Sequence, residues 1–285
     1  MYLSNITGNG GAIYIYENIK KADFSKSIFH HCFAIYGSAI YTDKINDLYL
    51  NSICGSQCSN KFGYEYGFFG FFNAENVMHA KYITACYNSG GSANCKFTSN
   101  YFEQSDSNYS NNIGFKELSF IIHTSANAVC KNIKVCNNIG SWIGYNNFQC
   151  TNVNSSNFIV TNVSLTDVSY SFGHITSHYT TQCVINNFYI DISESNLSVL
   201  NAIDSKMYVF NSYIKCPSDK LTDSRGNVNF DSSNQLVDIV PELILRVPEL
   251  SECGKMLNKT LKNDIICQSS LNHFRAVVAS VIILI

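Results

Sequence analysis

The sequence has very little proline. Its three prolines are Pro217, Pro241 and Pro248, so the first 216 residues contain none. Proline lacks the backbone N–H that a sheet ladder needs, and it is therefore excluded from central strands. Its absence over this length favours a continuous sheet in which nearly every backbone N–H is hydrogen-bonded.

Charge is also scarce. Charged residues make up 14% of the chain and the formal net charge is −2, whereas an average soluble protein is about a quarter charged. The three arginines, Arg225, Arg246 and Arg275, all lie in the last quarter of the sequence. No basic stripe with interleaved aromatic residues is present, so nucleic acid is excluded as a partner.

Neutral polar residues take the place of charge, and 35 of the 285 residues are asparagines. This composition does not match a charge-driven disordered chain. Asparagine tolerates the left-handed conformation and hydrogen-bonds its own backbone in turns. We therefore expect asparagines at the turns of a repeat, where equivalent side chains can stack as hydrogen-bonded ladders.

A short motif repeats near the N-terminus. Residues 8–14 (GNGGAIY) return 27 residues later as 36–41 (YGSAIY). Further short strands begin at Ile133, Phe158, Tyr189 and Met207, spaced 25, 31 and 18 residues apart. Coils of this size match one rung of a parallel β-helix. The predicted fold is all-β, with a β-sandwich or propeller as the alternative, although those folds usually show steadier turn spacing and more loop proline.

Two stretches between these strands differ in composition. The polar run from Asn94 to Asn112 predicts a longer loop. The run from Lys61 to Phe72 (KFGYEYGFFGFF) is rich in aromatic residues, which favours rings packed inside the scaffold. The alternative is an exposed aromatic platform for a sugar or a partner, with Tyr64, Tyr66 and Phe68 as the candidate contact residues.

The character of the chain changes near residue 231. We predict a β-helix domain over 1–231 and a C-terminal cap or connector over 232–285, with helix formers from Glu252 to Ile266. The apolar tail 276–285 is too short to span a bilayer, and no signal peptide is visible. We therefore expect the chain to be part of a longer protein, and to associate with the membrane through that longer parent chain. The competing interpretation is that the tail is a final core strand.

Cysteines and glycosylation sequons favour an oxidising compartment. The count of twelve cysteines is high and even. Cys130 and Cys136 cannot pair if they lie on one straight strand. Six asparagines precede Ser or Thr by two positions and are the candidate glycosylation sites. They are Asn5, Asn108, Asn154, Asn162, Asn196 and Asn258.

Residues 10–14 (GGAIY), 37–41 (GSAIY) and 29–32 (FHHC) resemble the GGAI and F-x-x-C-type repeats of polymorphic outer-membrane-protein-like surface proteins, which are expanded in some parasitic protozoa. The resemblance implies a right-handed β-helix ectodomain of the pectin-lyase-like type, usually followed by one transmembrane segment. It covers the first 60 residues, and only the style of repeat continues to residue 230. Ser38 in place of the second glycine and the lack of a full membrane segment depart from the family.

The sequence shows no catalytic signature, metal site or cofactor site. Glycoside hydrolysis needs two carboxylates that face one bond, and the best candidates, Asp167 and Asp191, are more simply explained as turn residues. Gly173-His174-Ile175 only approaches a polygalacturonase-like Gly-His-Gly, and no arginine for lyase chemistry precedes Arg225. The clusters 30–32 (HHC) and Cys54-x3-Cys58 lack the spacing of a zinc site. A disulfide, or thiols buried in the rung core, explains these cysteines more simply.

These observations predict a non-enzymatic β-helix protein, either secreted or on the cell surface, that acts in adhesion to a host-surface protein or glycan. The alternative is a carbohydrate-processing, pectin-lyase-like β-helix enzyme, which could be inactive. Two acidic side chains that converge on an exposed groove would favour the enzyme. An uncharged surface of Asn and Ser residues would favour the non-enzymatic hypothesis.

Overall fold

The computed structural model describes residues 9–60, 69–90, 94–114, 120–140, 144–145, 152–161, 163–165, 174–178, 180–192, 197–222, 227–253, 266–267 and 275–284. The chain is an all-β, right-handed parallel β-helix, as predicted, and the architecture is consistent with a pectin-lyase-like fold. Among the described residues, no helix is long and apolar enough to cross a membrane.

In chain order the strands are β1 (Ile13–His30), β2 (Phe33–Ala34), β3 (Ile40–Ser56), β4 (Ser59–Asn60), β5 (Gly70–Cys86), β6 (Ser89–Gly90), β7 (Cys95–Ser110), β8 (Ile113–Gly114), β9 (Phe120–Cys136), β10 (Ile139–Gly140), β11 (Gly144–Tyr145), β12 (Asn152–Thr161), β13 (Ser164–Leu165), β14 (Ile175–His178), β15 (Gln182–Asp191), β16 (Leu200–Ile203), β17 (Lys206–Phe210), β18 (Tyr213–Lys215), β19 (Asn227–Phe230), β20 (Gln235–Leu236), β21 (Ile266–Cys267) and β22 (Arg275–Leu284). A 3-10 turn covers Ser218–Lys220, and residues 250–253 are helical.

The strands stack in sequence order, one rung on the next. Strands β1, β3, β5, β7, β9, β12, β15, β17 and β19 lie side by side and parallel in one sheet. The two-residue strands β2, β4, β6, β8, β10 and β13 form a second sheet, and β11, β14 and β16 form a third. Because each rung pairs with its neighbour in register, equivalent residues form columns along the axis.

One residue with positive φ bends each long strand. In β1, Phe24 points inward before the bend, and Ser27 and Phe29 point inward after it. The inward-facing positions thus change from even to odd residue numbers at Lys26, whose φ is 48°. The same register position has positive φ in each later rung as far as Asn211. These residues are Lys26, Ser52, Tyr82, Asp106, Asn132, Asn157, Asn187 and Asn211.

The bends divide the outer surface into faces. A register irregularity marks an earlier corner in each of β1, β3, β5 and β7. Face A is the outer surface of residues 13–16, 40–43, 70–73 and 95–98, before that corner. Face B is that of 19–25, 45–51, 77–81, 101–105, 127–131 and 152–156. Face C, after the bend, is that of 27–30, 53–56, 83–86, 107–110, 133–136, 158–161, 188–191 and 213–215.

Asparagine ladders run along the bends, which confirms the prediction from composition. Asn187 Nδ2 donates to Asn157 Oδ1 at 2.7 Å, and Asn157 Nδ2 donates to Asn132 Oδ1 at 2.9 Å. A buried ladder follows the next corner, where Asn112 Oδ1 accepts the backbone N–H of Asn88 at 2.9 Å. Asparagine suits these positions because it adopts positive φ at low cost and its amide both donates and accepts.

The replacement Asn157→Ala is expected to cost about 2 kcal/mol of unfolding free energy, because it removes two ladder bonds and strains the left-handed backbone. Asn157→Gly removes the same bonds but tolerates the backbone, so it should cost about half as much. Urea denaturation checks both values, with the exposed Asn154→Ala as the control. Equal costs for alanine and glycine would show that the left-handed conformation contributes nothing.

Large and small side chains alternate inside the coil. An added Cβ on Gly55 would lie 2.1 Å from the Phe69 ring, and one on Gly70 would lie 2.3 Å from the Phe72 ring. The two phenylalanines are fully buried. Phe69 and Phe72 therefore pack inside the scaffold, because Gly55 on the preceding rung and Gly70 on the same strand leave room for their rings, whereas Phe71 lies on the outer surface beside Tyr41. Residues 61–68 of the aromatic run lie outside the described residues.

The predicted loop from Asn94 to Asn112 is wrong, since residues 95–110 form β7. Its inward positions include Phe97, Phe102 and Tyr109, all fully buried. The polar side chain of Gln104 also points inward and donates to the Tyr109 hydroxyl. A polar sequence can form a rung because outward side chains are solvated and each backbone group pairs with the adjacent rungs.

The chain returns along the outside of the helix after the last rung. Residues 247–253 lie against face C, and β22 pairs antiparallel with β1 at the opposite end of the stack. The apolar tail is thus a strand, as one of the two interpretations held, but it pairs with the first rung. Of the segment rich in helix formers, Glu252 to Ile266, residues 252–253 are helical, 254–265 lie outside the described residues and Ile266 begins β21.

Candidate functional site

The acidic residues considered for hydrolysis do not form a described site. Asp191 lies on face C, where its Oδ2 is 3.5 Å from Lys215 Nζ. Asp167 lies outside the described residues. His174 is fully buried, and this burial lowers its pKa to about 4. A histidine enclosed in this way does not face a substrate groove.

The described part of the chain brings no three His, Cys, Asp or Glu side chains together in a way that could hold a metal. His30 Nδ1 lies 2.8 Å from Ser56 Oγ on the outer surface, whereas Cys32 and Cys58 are buried in the interior. Cys54 is in a disulfide with Cys253. The two tight clusters noted in the sequence are therefore split between the inside and the outside of the coil.

Face A carries a column of aromatic rings. Tyr14 stacks on Tyr41 with centroids 5.2 Å apart, and Tyr41 stacks on Phe71 at 4.8 Å. Burial, followed by the nearby charge of Asp43, raises the pKa of Tyr41 to about 12. Because the rings stack along the helix axis, their faces contact each other and their edges point outward.

Face B carries a mixed row across four adjacent rungs, which we call the face B row: Lys21, Tyr49, His79 and Glu103. Lys21 Nζ lies 4.4 Å from the centre of the Tyr49 ring, and Tyr49 stacks on His79 at 5.3 Å. His79 Nδ1 lies 3.1 Å from Glu103 Oε2. The His79 and Glu103 side chains are 39% and 47% exposed, and Lys21 and Tyr49 are partly buried.

The face B row combines groups that recognise partners well. Aromatic rings supply contact area at low entropy cost, and the flanking ammonium, imidazole and carboxylate supply directional polar contacts. Strands β1, β3, β5 and β7 hold these groups at rung spacing, so the row is preorganised. Sequence reasoning missed it because Tyr49, His79 and Glu103 become neighbours only once the register between rungs is known.

The third face is closed by a segment that we call the strap, residues 247–253. The Cys54–Cys253 disulfide joins residues 199 positions apart in sequence. Lys134 Nζ lies 2.6 Å from Glu249 Oε1, and Asn108 Nδ2 donates to Glu249 Oε2 at 3.2 Å. The strap thus covers the middle of face C and is fastened to it both covalently and by polar contacts.

Eight described cysteines lie outside this disulfide, and most of them are buried. Cys130 points into the core and Cys136 lies in the column beneath the strap, so they do not pair with each other. The strand between them is bent at Asn132, and is thus not the straight strand on which the prediction depended. Burial raises the pKa of Cys86 and Cys136. These side chains act as small apolar groups, which explains much of the high cysteine count.

The glycosylation candidates differ in exposure. Asn154 is exposed on face B, whereas Asn108 is fully buried beneath the strap. A glycan on Asn108 would require the strap to leave face C. The other four sequon asparagines and the three candidate contact aromatics lie outside the described residues. They are Asn5, Asn162, Asn196, Asn258, Tyr64, Tyr66 and Phe68.

Comparison with known proteins gave no relative, since no family model, no curated protein and no solved structure matches the chain.

Proposed function

We propose that this chain is a non-enzymatic β-helix protein, secreted or on the cell surface, which contacts a host partner through the face B row. The observation that carries the proposal is the row itself. Tyr49, His79 and Glu103 stand side by side in register on three rungs, and Lys21 reaches over the Tyr49 ring from the first rung, where Asp23 holds the position paired with Tyr49. Tyr49, at the centre of the row, is of a residue type that is enriched in binding hot spots.

The setting is inferred from covalent chemistry. Disulfides persist in secreted and surface proteins and are rare in a reducing cytosol. The Cys54–Cys253 bond and the exposed sequon at Asn154 both support an oxidising compartment. The fold and the repeats at residues 10–14 and 37–41 are also those expected for the polymorphic outer-membrane-protein-like surface proteins. Membrane association through a longer parent chain is part of the same proposal.

The ring geometry favours a protein partner over a glycan. A sugar usually stacks on an open aromatic face, but one face of Tyr49 is occupied by Lys21 and the other by His79. The outward edges offer a hydroxyl, an imidazole and charged groups instead. These contacts suit the polar and aromatic side chains of another protein surface.

One feature of the face B row supports the alternative, a carbohydrate-processing enzyme. His79 and Glu103 form an exposed acid–base type pair at 3.1 Å. The pair lies on a sheet surface, and no second acidic side chain of the row faces it across a bond-sized gap. An enzyme of this kind would need substrate contacts that the row does not supply.

The test is binding of the labelled full chain to cultured epithelial cells and to a printed panel of neutral and acidic oligosaccharides. The double variant Tyr49→Ala/His79→Ala is expected to bind cells about tenfold more weakly, a loss of the size expected for hot-spot residues. Asn154→Ala, further along the same face, is the matched control and should bind normally.

Unchanged cell binding by the double variant would contradict the proposal for the face B row. Binding to the oligosaccharide panel alone would replace the protein partner by a glycan. Release of reducing ends or unsaturated products from polygalacturonate, lost in His79→Ala, would favour the enzyme instead.

A further inference from the structure

Two buried cysteines face each other on adjacent rungs at the corner after face C. Cys32 and Cys58 each follow a residue of positive φ, His31 and Gln57 respectively. The backbone N–H of Ser59 donates to the Cys32 carbonyl oxygen at 2.9 Å, which fixes the register. Cys32 and Cys58 therefore stand directly opposite each other on parallel neighbouring strands.

Asparagine occupies the same column in the next three rungs. Asn88, Asn112 and Asn138 are fully or almost fully buried, and each accepts the backbone N–H of the preceding rung at 2.8–2.9 Å. The chain of amides ends where Asn88 accepts the N–H of Cys58. In the first two rungs, two cysteines therefore occupy the column that hydrogen-bonded asparagines occupy in the later rungs.

The register places the two side chains next to each other. Burial, followed by a hydrogen bond with Cys32, raises the pKa of the Cys58 thiol, whose Sγ also donates to the Ser56 carbonyl oxygen at 3.5 Å. Neighbouring strands lie about 4.8 Å apart, which falls inside the range of about 4.4–6.8 Å between Cα atoms that a disulfide spans. Both side chains are enclosed, with 3% and 0% of their surface exposed.

We propose that Cys32 and Cys58 form a second disulfide, which ties the first rung to the second when the chain folds under oxidising conditions. The oxidant is a low-molecular-weight disulfide. The Cys58 thiolate attacks one of its sulfurs and releases one thiolate, and the Cys32 thiolate then attacks the Cys58 sulfur and releases the second. The two protons lost by the cysteines pass to the two released thiolates, so two thiols are oxidised and one disulfide is reduced.

The bond must form during folding, because the native packing closes the pair to reagents. A chain that already carries Cys54–Cys253 has met the oxidant, which makes that bond an internal standard. The thiol of Cys95 is a contrasting case, since it is fully buried and has no cysteine partner assigned to it on a neighbouring rung.

The experiment is oxidative refolding of the full chain in a mixture of oxidised and reduced glutathione, followed by acid quenching, alkylation, trypsin digestion and mass spectrometry. Cys32 lies in tryptic peptide 27–44, Cys54 and Cys58 lie in 45–61, and Cys253 lies in 247–255. The expected product is one cluster of all three peptides. Fragmentation of the cluster should assign the link to Cys32 and Cys58.

Cys58→Asn is the matched variant, since it continues the asparagine column by one rung. It should give only the pair of 45–61 with 247–255 and leave Cys32 fully alkylated. That pair also reports that the variant has folded. Alkylation of both Cys32 and Cys58 in the wild-type chain, or a link of Cys58 to Cys54, overturns the proposal.

Discussion

Replacing Cys253 by serine is expected to lower the free energy of unfolding by about 2–5 kcal/mol. The Cys54–Cys253 bond closes a loop of 199 residues. In the chain-entropy model, a loop of this length restricts the unfolded state more than a short one does. The loss of unfolding free energy should therefore be among the largest that removal of one covalent link can cause in this chain.

The remaining strap contacts are too weak to compensate. The Lys134–Glu249 pair is about half exposed on the glutamate side, and exposed pairs contribute about 0–1 kcal/mol. Burial is the largest single effect and lowers the pKa of Lys134, but the hydrogen bond to Glu249 and the charges of Cys136, Glu249 and Cys86 together outweigh it, so the net pKa is raised. This contribution is therefore present at neutral pH and is lost as the pH rises through the raised lysine pKa.

Urea denaturation without reductant measures the effect. Cys216→Ser is the matched control, because Cys216 is half-buried and keeps its thiol. In a reducing agent, wild type and Cys253→Ser should reach the same midpoint, because the Cys54–Cys253 bond is then lost from the wild type and any Cys32–Cys58 bond is broken in both chains. Equal midpoints for wild type and Cys253→Ser without reductant would show that the bond does not restrict the unfolded chain.

The parts of this fold that repeat locally could be predicted from the sequence. The Gly-x-Ala-Ile motif at residues 10–13 and 37–40 predicted the rung. The absence of proline predicted the continuous ladder, and the excess of asparagine predicted the stacks at Asn132, Asn157 and Asn187. Each of these features is set by the chemistry of one residue type at one backbone conformation.

What the sequence did not reveal depends on contacts between distant residues. The strap joins Cys54 to Cys253 across the whole solenoid, and no local pattern marks that pairing. The face B row requires the spacings between rungs, which vary because loops between them differ in length. The polar strand β7 was missed because a rung receives its order from the rungs on either side and needs little apolar character of its own.

The substitution Phe188→Ala is expected to cost about 3–5 kcal/mol, the range for a buried phenylalanine. Phe188 is fully buried and stacks on Phe158 with centroids 4.4 Å apart. On its other side the column continues with Ser212, whose hydroxyl accepts the backbone N–H of Phe188 at 3.1 Å. A serine cannot fill the space of a lost ring, so the cavity should stay open.

The place of the damage should be as informative as its size. In a solenoid each rung contacts only its neighbours, so the rungs near Phe188 should open first. Hydrogen exchange is expected to rise over residues 182–215 and to stay unchanged over 40–56, a part of the chain that the strap holds at Cys54. Tyr189→Ala is the matched control, because its half-buried side chain points outward next to Tyr213. Faster exchange along the whole chain would instead show that the rungs unfold as a single cooperative unit.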